Sequence, residues 1–280
     1  MTITESAVKA LDLDDCLITA FNAARMGASR LLDAYADQVK GRWDGPVSSA
    51  EVPARDSERE IRKIIYEAFP DHEIYAGEGP PHGEYPEAFW RADPLDGAWS
   101  FGRGSPFFSI SLSLVHKGSD GGYETLLGVV LAPVLMELFW AVAGGGAFQW
   151  RQVPGIGLCE GVISVSDCGR TEEAAVRTAL ADPGSGGHGP RARVQEAVRA
   201  LAAEESVSLG LAYVAGGRAE AFFRPGGDPW AAAAGALLVS EAGGRVSAMD
   251  GGDYRPGGED GILATNGLLH ARLAGILGGS

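Results

Sequence analysis

The chain has 280 residues, of which 45% are hydrophobic, and its 37 acidic and 23 basic residues give a formal net charge of −14. This balance indicates a globular protein with one large domain or two closely packed ones, and it argues against a general nucleic-acid or anionic-membrane surface. Three scattered cysteines exclude a disulfide framework, and no leader peptide or membrane span is evident. We therefore expect a cytoplasmic protein that binds neither nucleic acid nor membrane.

Two helical regions and a set of short strands are predicted in the first half of the chain. Apolar residues at helical spacing predict one or two amphipathic helices between Ser6 and Lys40, followed by an irregular loop over Gly41–Arg55. Acidic residues predict the start of a helix that runs from Asp56 to about Phe69, because they complement the helix dipole there. The predicted strands, of which the last three form an antiparallel meander, are Glu73–Ala76, Ala88–Ala92, Phe107–Val115, Thr125–Pro133 and Leu138–Val142.

The pattern changes after the glycine run at Gly144–Gly146. The elements predicted beyond it, in chain order, are a strand (Gly161–Val165), a helix (Thr171–Leu180), a helix (Arg191–Glu204), a segment that reads equally as helix or strand (Val207–Ala215), a strand (Glu220–Phe223), a helix (Pro229–Ala242) and a final helix (Asn266–Leu277). We therefore expect an N-terminal α+β half over residues 1–145, which carries the acidic motifs, and a C-terminal α/β half over residues 146–280, packed into one compact unit.

Two carboxylates three residues apart, Asp93 and Asp96, lie on a proline-stiffened turn after a predicted strand. Hard divalent cations prefer oxygen ligands, and magnesium takes one or two carboxylates together with water and substrate phosphate. Asp93 can bridge two ions about 4 Å apart, with Glu78 and the Leu95 carbonyl completing one site and Asp96 serving the other. Asp56 is a further candidate carboxylate. Taken alone, the motif also reads as a type I turn with an aspartate cap.

Two ordered motifs resemble the inositol monophosphatase family. The first joins Gly77-Glu78 to the segment Trp90–Phe101 and to Gly104–Ile110, and the second is Trp230–Gly235 followed by Glu241–Gly244. The resemblance covers nearly the whole chain in element order. It implies a layered αβαβα architecture, dependence on one or two magnesium ions, and hydrolysis of small phosphomonoesters such as cyclitol, sugar or nucleotide phosphates.

The resemblance also implies roles for individual residues. Glu78, Asp93, the Leu95 carbonyl and Asp96 match the family's metal ligands as they stand. Asp56 matches an acidic position that supports an additional outer ion. We expect Glu78 or Asp56 to orient the attacking water.

Two departures from the family pattern affect catalysis. Ala98 stands where the family has a Thr or Ser hydroxyl that helps to hold the attacking water, and loss of such a relay removes on the order of 10²–10⁴ in rate. Ala231 stands where the family has an Asp that binds the second metal. Asp228, one helical turn earlier, either reaches the vacated metal site or caps its own helix, with Pro229 at the first helical position. The site is therefore expected to hold one or two ions, and fewer than is typical if Asp228 caps its helix instead.

Other substitutions concern the substrate. The backbone amides of Gly97 and Ala98 are expected to hold phosphate oxygens, because backbone donors do not depend on a side chain. A Gly-Ser/Thr-Ala-type segment of the family is replaced by Glu205–Val207, and Arg224 replaces an acidic residue. Arg224 either recognises a carboxylate or second phosphate or is a surface arginine paired with an acid. Trp99 either lines the pocket or packs in the core.

Two functional hypotheses follow from these residues. The first is a magnesium-dependent phosphatase that acts on a small phosphorylated metabolite with an altered arrangement for water activation. The alternative is a catalytically degenerate or repurposed family member that binds a ligand or partner, or catalyses a different reaction. The family often forms homodimers, and the apolar meander Leu126–Trp140 either supplies such an interface or belongs to the core.

Overall fold

A computed structural model describes residues 12–40, 50–77, 85–179, 189–228, 230–258 and 260–278. The helices are α1 (Leu13–Val39), α2 (Glu51–Ala68), α3 (Ala98–Gly102), α4 (Pro190–Ala197), α5 (Val207–Ala215), α6 (Ala233–Glu241) and α7 (His270–Gly278). The strands are β1 (Glu73–Ala76), β2 (Ala88–Asp96), β3 (Ser109–Lys117), β4 (Tyr123–Ala132), β5 (Glu137–Val142), β6 (Gly146–Val153), β7 (Gly157–Val162), β8 (Ala175–Ala179), β9 (Ala200–Glu204), β10 (Ala221–Arg224), β11 (Arg245–Ser247) and β12 (Ile262–Thr265).

The strands form two sheets. The larger sheet has seven strands in sequence order, β1 to β7, of which only the pair β1–β2 is parallel. It continues across residue 145, because β5 pairs with β6. The second sheet has five strands in the order β11-β12-β10-β8-β9. Its parallel pairs are β10–β8 and β8–β9, and its antiparallel pairs join β12 to β10 and β11.

Helices α1 and α2 cover one face of the seven-stranded sheet. The fully buried Leu31 of α1 and Ile61 of α2 pack with Trp90 and Ile110 of the sheet. The two helices approach closely at Gly27, where an added Cβ would lie 2.8 Å from the Ser57 hydroxyl oxygen. Burial of these apolar side chains fixes α2 beside the end of β2, where the predicted metal ligands lie.

The opposite face of this sheet packs on α5 and α6, which separate the two sheets. All nine residues of α5 are buried, which explains why the sequence of this helix shows no polar face. Gly128 of β4 allows α6 to approach closely, since a Cβ there would lie 2.8 Å from the Ala234 carbonyl oxygen. Helices α4 and α7 share a third apolar cluster with the second sheet. The order of layers is therefore αβαβα, which confirms the predicted α+β sandwich.

Several predicted elements of the first half are confirmed with shifted ends. The helix expected from Asp56 begins at Glu51, inside the predicted loop, because Pro53 lies in the first turn, where its missing N–H leaves no hydrogen bond unmade. Strand β2 extends to Asp96 rather than ending at Ala92. The residues from Ser6 to Leu11 of the first predicted helix lie outside the described residues.

Two helices predicted in the second half are wrong, wholly or in part. The helix expected over Thr171–Leu180 is a short 3-10 turn followed by strand β8, and the helix expected over Arg191–Glu204 ends at Ala197 and is followed by strand β9. Strand β8 lies between β10 and β9, and Val176 and Thr178 are buried there. Tertiary pairing therefore overrides the helix propensity of these alanine-containing segments. Strands β6, β11 and β12 were not predicted.

Most of the strand residues in the meander Leu126–Trp140 are buried. Val129, Val130 and Phe139 are fully buried and contribute to the two largest apolar clusters. These side chains therefore belong to the core, whereas Met136, in the turn between β4 and β5, is 48% exposed. Among the described residues, no helix combines the length and the apolar character needed to cross a membrane.

Candidate active site

The end of β2 positions the two predicted metal ligands. Asp93 pairs with Ser111 and Asp96 with Ser109 of β3, and the register shifts between these pairs. The chain then turns at Gly97, which has a φ of +96°, and enters α3. A Cβ at Gly97 would lie 3.0 Å from the Phe107 carbonyl oxygen, so this turn requires glycine for both conformation and space. The irregular strand end therefore brings two carboxylates beside the start of a helix.

Asp96 is held by the start of α5. Its carboxylate accepts hydrogen bonds from the hydroxyls of Ser206 at 2.9 Å and Ser208 at 2.5 Å, and from the amides of Val207 at 3.1 Å and Ser208 at 2.8 Å. Burial raises the pKa of Asp96, and these hydrogen bonds oppose the increase because they favour the charged form. Asp96 is thus held in place, and most of the hydrogen-bonding capacity of its carboxylate is used.

Asp93 is less constrained and faces two cavities. One oxygen, Oδ1, accepts a hydrogen bond from the Leu95 amide at 3.1 Å. Burial raises the pKa of Asp93 to about 7, and the Asp96 and Asp228 carboxylates add to this effect. A cation bound at Asp93 would oppose this increase, because it stabilises the charged form of the carboxylate.

Two cavities meet at Asp93, Asp228 and Ala231, which line both of them. The larger has a volume of about 480 Å³, and its other lining residues are Asp96, Trp99, Ala179, Glu205, Val207 and Arg224. The smaller has a volume of about 220 Å³ and extends toward Glu58 and Arg91. The larger cavity therefore joins the metal-ligand candidates to the predicted substrate-binding residues.

Asp228 lies between these cavities and makes two contacts. Its Oδ1 accepts a hydrogen bond from the Trp230 amide at 2.9 Å, and its Oδ2 lies 3.6 Å from the Arg91 Nη2. The first contact is a local turn hydrogen bond and not the predicted helix cap, because α6 begins at Ala233 with Ala232 as its N-cap residue and without a side-chain cap. Pro229, the predicted first residue of this helix, lies outside the described residues. Asp228 is therefore close to Asp93 but already engaged through both oxygens.

The described donors fit a magnesium ion better at one position than at the other. Asp93 and the Leu95 carbonyl offer oxygen ligands, and the predicted third ligand, Glu78, lies outside the described residues. At the second position Ala231 has no donor, and the Asp96 oxygens already accept four hydrogen bonds. Among the described residues, no three His, Cys, Asp or Glu side chains are grouped closely enough to hold a metal.

The start of α3 carries an unexpected contact. The Glu205 carboxylate accepts a hydrogen bond from the Trp99 amide at 2.7 Å and another from the Ser100 amide. Both amides adjoin Gly97 and Ala98, where phosphate oxygens were expected to bind. The sequence showed Glu205 as a substitution for a small residue, but only the fold brings it to this helix.

The remaining predicted residues have different environments. Asp56 forms an ion pair with Arg59 at 2.9 Å. It is absent from the described residues that line the two cavities. Trp99 lines the larger cavity with 51% of its surface exposed, so it is not a core residue. The Arg103 guanidinium carbon lies 4.5 Å from the centroid of its ring. Arg224 lines the larger cavity with Trp99.

Arg91 is a residue that the sequence reasoning missed. It lies two residues before Asp93 on β2, and strand alternation therefore places both side chains on one face. Only 4% of Arg91 is exposed. Burial lowers its pKa, and attraction to Asp228 and Asp93 opposes this change. The signal available in the sequence was a charged residue inside an otherwise apolar strand.

Comparisons with known proteins agree with this architecture. The inositol monophosphatase family matches residues 12–279. An inositol-1-monophosphatase of Mesorhizobium japonicum is 33% identical over 84% of this chain and 86% of its own length. A Nus factor SuhB of Haemophilus influenzae is 30% identical over 86% of this chain and 88% of its own length.

A solved structure agrees with the same assignment. The Thermotoga maritima IMPase superposes with a TM-score of 0.78 at 30% identity, over 94% of this chain and 96% of that one. The chain belongs to the inositol monophosphatase family.

Proposed function

We propose that the protein is a magnesium-dependent phosphatase that hydrolyses a small phosphomonoester. The observation that carries this proposal is the pair Asp93 and Asp96 at the end of β2, adjoining the start of α3 in a cavity of about 480 Å³. The family assignment supports the same reaction class. A cytoplasmic location and a homodimer remain proposals drawn from composition and from the family resemblance.

The residues divide the work of the reaction. Asp93, the Leu95 carbonyl and Glu78 hold magnesium, and Asp96 supports this arrangement from the other side of the turn. Bound magnesium supplies positive charge that stabilises the phosphate as its ester bond breaks.

The amides of Gly97 and Ala98 orient the phosphate oxygens, and Glu78 orients the attacking water, since Asp56 is paired with Arg59 and lines neither cavity. Because Ala98 has no hydroxyl, the chain holds that water with one partner fewer.

The larger cavity indicates the kind of substrate. Arg224 and Asp93 both line it, so a ligand whose phosphate is at the aspartates can present a second group to the arginine. A guanidinium binds a carboxylate or phosphate through two parallel hydrogen bonds. We therefore propose a phosphorylated sugar, cyclitol or related metabolite that carries a second anionic group.

A phosphate-release assay tests the reaction. The purified protein is incubated with Mg²⁺ and a panel of phosphomonoesters, half of which carry a second carboxylate or phosphate. We expect release from the doubly anionic members, loss of release in Asp93→Asn, and normal release in Asp71→Asn, which changes an exposed aspartate. If the wild-type protein releases no more phosphate than Asp93→Asn, the proposed reaction is wrong.

The alternative is a family member without phosphatase activity. Ala98 and Ala231 favour it, because both lack groups that the family uses, and a similar protein is named as a Nus factor. The double variant Ala98→Thr with Ala231→Asp separates the two possibilities. A gain from no release to clear release supports degeneration, whereas an active wild-type protein that the variant does not improve supports a different working arrangement.

A further inference from the structure

Arg91 is a buried charged side chain, and burial of a charge is unfavourable unless other interactions compensate for it. Its Nη2 donates a hydrogen bond to the Gly77 carbonyl at 3.0 Å and lies 3.6 Å from the Asp228 Oδ2. Its guanidinium carbon lies 5.6 Å from the centroid of the Trp230 ring. These contacts orient the guanidinium between β2 and the segment that leads into α6.

Two of the three guanidinium nitrogens, Nε and Nη1, are buried and have no hydrogen-bond partner among the described residues. Buried donors are normally satisfied, because an unpaired donor loses its hydration without compensation. A neutral side chain of similar length would avoid this cost. We therefore attribute the retention of Arg91 to its positive charge. Asp228 and Asp93 are the carboxylates that attract this charge.

The position of this charge coincides with a missing metal ligand. Arg91, Asp93, Asp228 and Ala231 line one cavity of about 220 Å³. Ala231 stands at the position where the family has an aspartate that binds the second metal. A divalent ion in this cavity would meet the guanidinium without the carboxylate that normally offsets its charge, and like charges at low dielectric repel strongly.

We propose that Arg91 acts as a fixed cation in place of the second metal ion, so that the active site holds a single divalent ion. The inference rests on the proposed function, because it concerns the metal site of that reaction. Arg91 balances the charge of the Asp228 carboxylate. The Asp93 carboxylate would then hold the single ion together with the Leu95 carbonyl. Arg91 is in this sense a positioning residue.

The arrangement has a consequence for Asp228. Its Oδ1 accepts the Trp230 amide and its Oδ2 faces Arg91, so this carboxylate neutralises the arginine instead of binding metal. Exchange of Arg91 for a neutral residue would free the Oδ2, and restoration of a carboxylate at position 231 would complete the second site.

The test counts bound Mn²⁺ by electron paramagnetic resonance and measures its affinity by titration calorimetry. The proteins are the full-length wild type, Arg91→Lys, Arg91→Met, and Arg91→Met with Ala231→Asp. Arg170→Met, which removes an exposed arginine, is the control. Circular dichroism establishes which variants are folded, and Arg91→Lys keeps the charge if Arg91→Met fails to fold.

We expect one Mn²⁺ in the wild type, in Arg91→Lys and in Arg170→Met. We expect two in the double variant, because the repulsion is removed and a ligand is added. The dissociation constant of its second ion should lie at least about tenfold below the highest Mn²⁺ concentration at which the wild type still binds one ion. Binding of no ion or of two ions to the wild type would overturn the inference, as would a folded double variant with one ion. A one-ion protein that releases no phosphate would leave this inference intact and contradict the phosphatase proposal.

Discussion

The Glu205 carboxylate accepts a hydrogen bond from the backbone amide of Trp99 at 2.7 Å, which joins two segments that are 106 residues apart in the chain. The contact links the start of α5 to the start of α3. It places a negative charge beside the amides of Gly97 and Ala98, where the proposed phosphate binds. Glu205 therefore stabilises α3 and opposes an anionic ligand at the same time.

Neutralisation of Glu205 is expected to strengthen phosphate binding. In Glu205→Gln the side-chain oxygen still accepts one amide hydrogen bond, but the repulsion of phosphate is removed. Because this group is partly exposed, we expect the dissociation constant of inorganic phosphate to fall by about three- to tenfold. Calorimetry in the presence of Mg²⁺ measures it, and Glu160→Gln on the exposed β7 serves as control. Unchanged or weaker binding in Glu205→Gln would contradict a competing role for this carboxylate.

The raised pKa of Asp93 makes metal binding dependent on pH. A cation binds the ionised carboxylate, so below the pKa of about 7 each ion must displace a proton. We expect Mn²⁺ affinity to rise by up to about tenfold per pH unit from pH 5 to 7 and to level off above this range. A pH-independent affinity over that interval would show that Asp93 is already ionised.

The same shift predicts how the metal-free protein responds to pH. The folded protein binds a proton at Asp93 more tightly than the unfolded chain does, because the pKa is raised from 3.8 to about 7. The contribution of Asp93 to the free energy of unfolding is therefore largest below pH 4, and it decreases as the pH rises toward 7. Melting temperatures in a chelator, compared with those of Asp93→Asn, test the sign. The slope should be smaller in the variant but not zero, because Asp96 is shifted in the same direction.

The two serines at the start of α5 are expected to differ in their effects on stability. Ser208→Ala removes one hydroxyl donor to Asp96, and we expect a loss of about 1 to 2 kcal/mol in the free energy of unfolding. Ser206→Ala should cost more, because its hydroxyl also accepts the Leu209 amide at 3.2 Å as the helix cap. Urea unfolding at neutral pH compares them. A larger loss for Ser208→Ala would contradict the assigned capping role.

Gly128 tests the close approach of α6 to the larger sheet. A Cβ at this position would lie 2.8 Å from the Ala234 carbonyl oxygen, and backbone atoms cannot move away as a flexible side chain does. We expect Gly128→Ala to destabilise the fold by about 1 to 3 kcal/mol, as overpacking does. Gly161→Ala is the matched control, since Gly161 also lies in a strand but has no atom within 4 Å of the added Cβ. Equal stability of both variants would contradict this contact.

The local patterns of the sequence were sufficient for part of the structure. Apolar periodicity identified α1 and the strands of the meander, and the two motifs at Asp93 and Trp230 indicated the family and its layered fold. Prediction failed at β8 and β9, where short alanine-containing segments have no strong period. The conformation of β8 is decided by pairing with β10, which lies more than 40 residues further along the chain, and β9 in turn pairs with β8.

By itself the sequence determined which carboxylates are available, and it showed that a hydroxyl is missing at Ala98 and a carboxylate at Ala231. These are properties of residue identity. The tertiary structure alone decided that Glu205 meets the start of α3, that Ser206 and Ser208 hold Asp96, and that Arg91 lies between Asp228 and Trp230. These contacts join distant segments whose positions follow from the packing of two sheets around α5 and α6. The electrostatic properties of the site therefore depend on the fold. Burial and proximity, rather than composition, determine how strongly each charged group interacts with its neighbours.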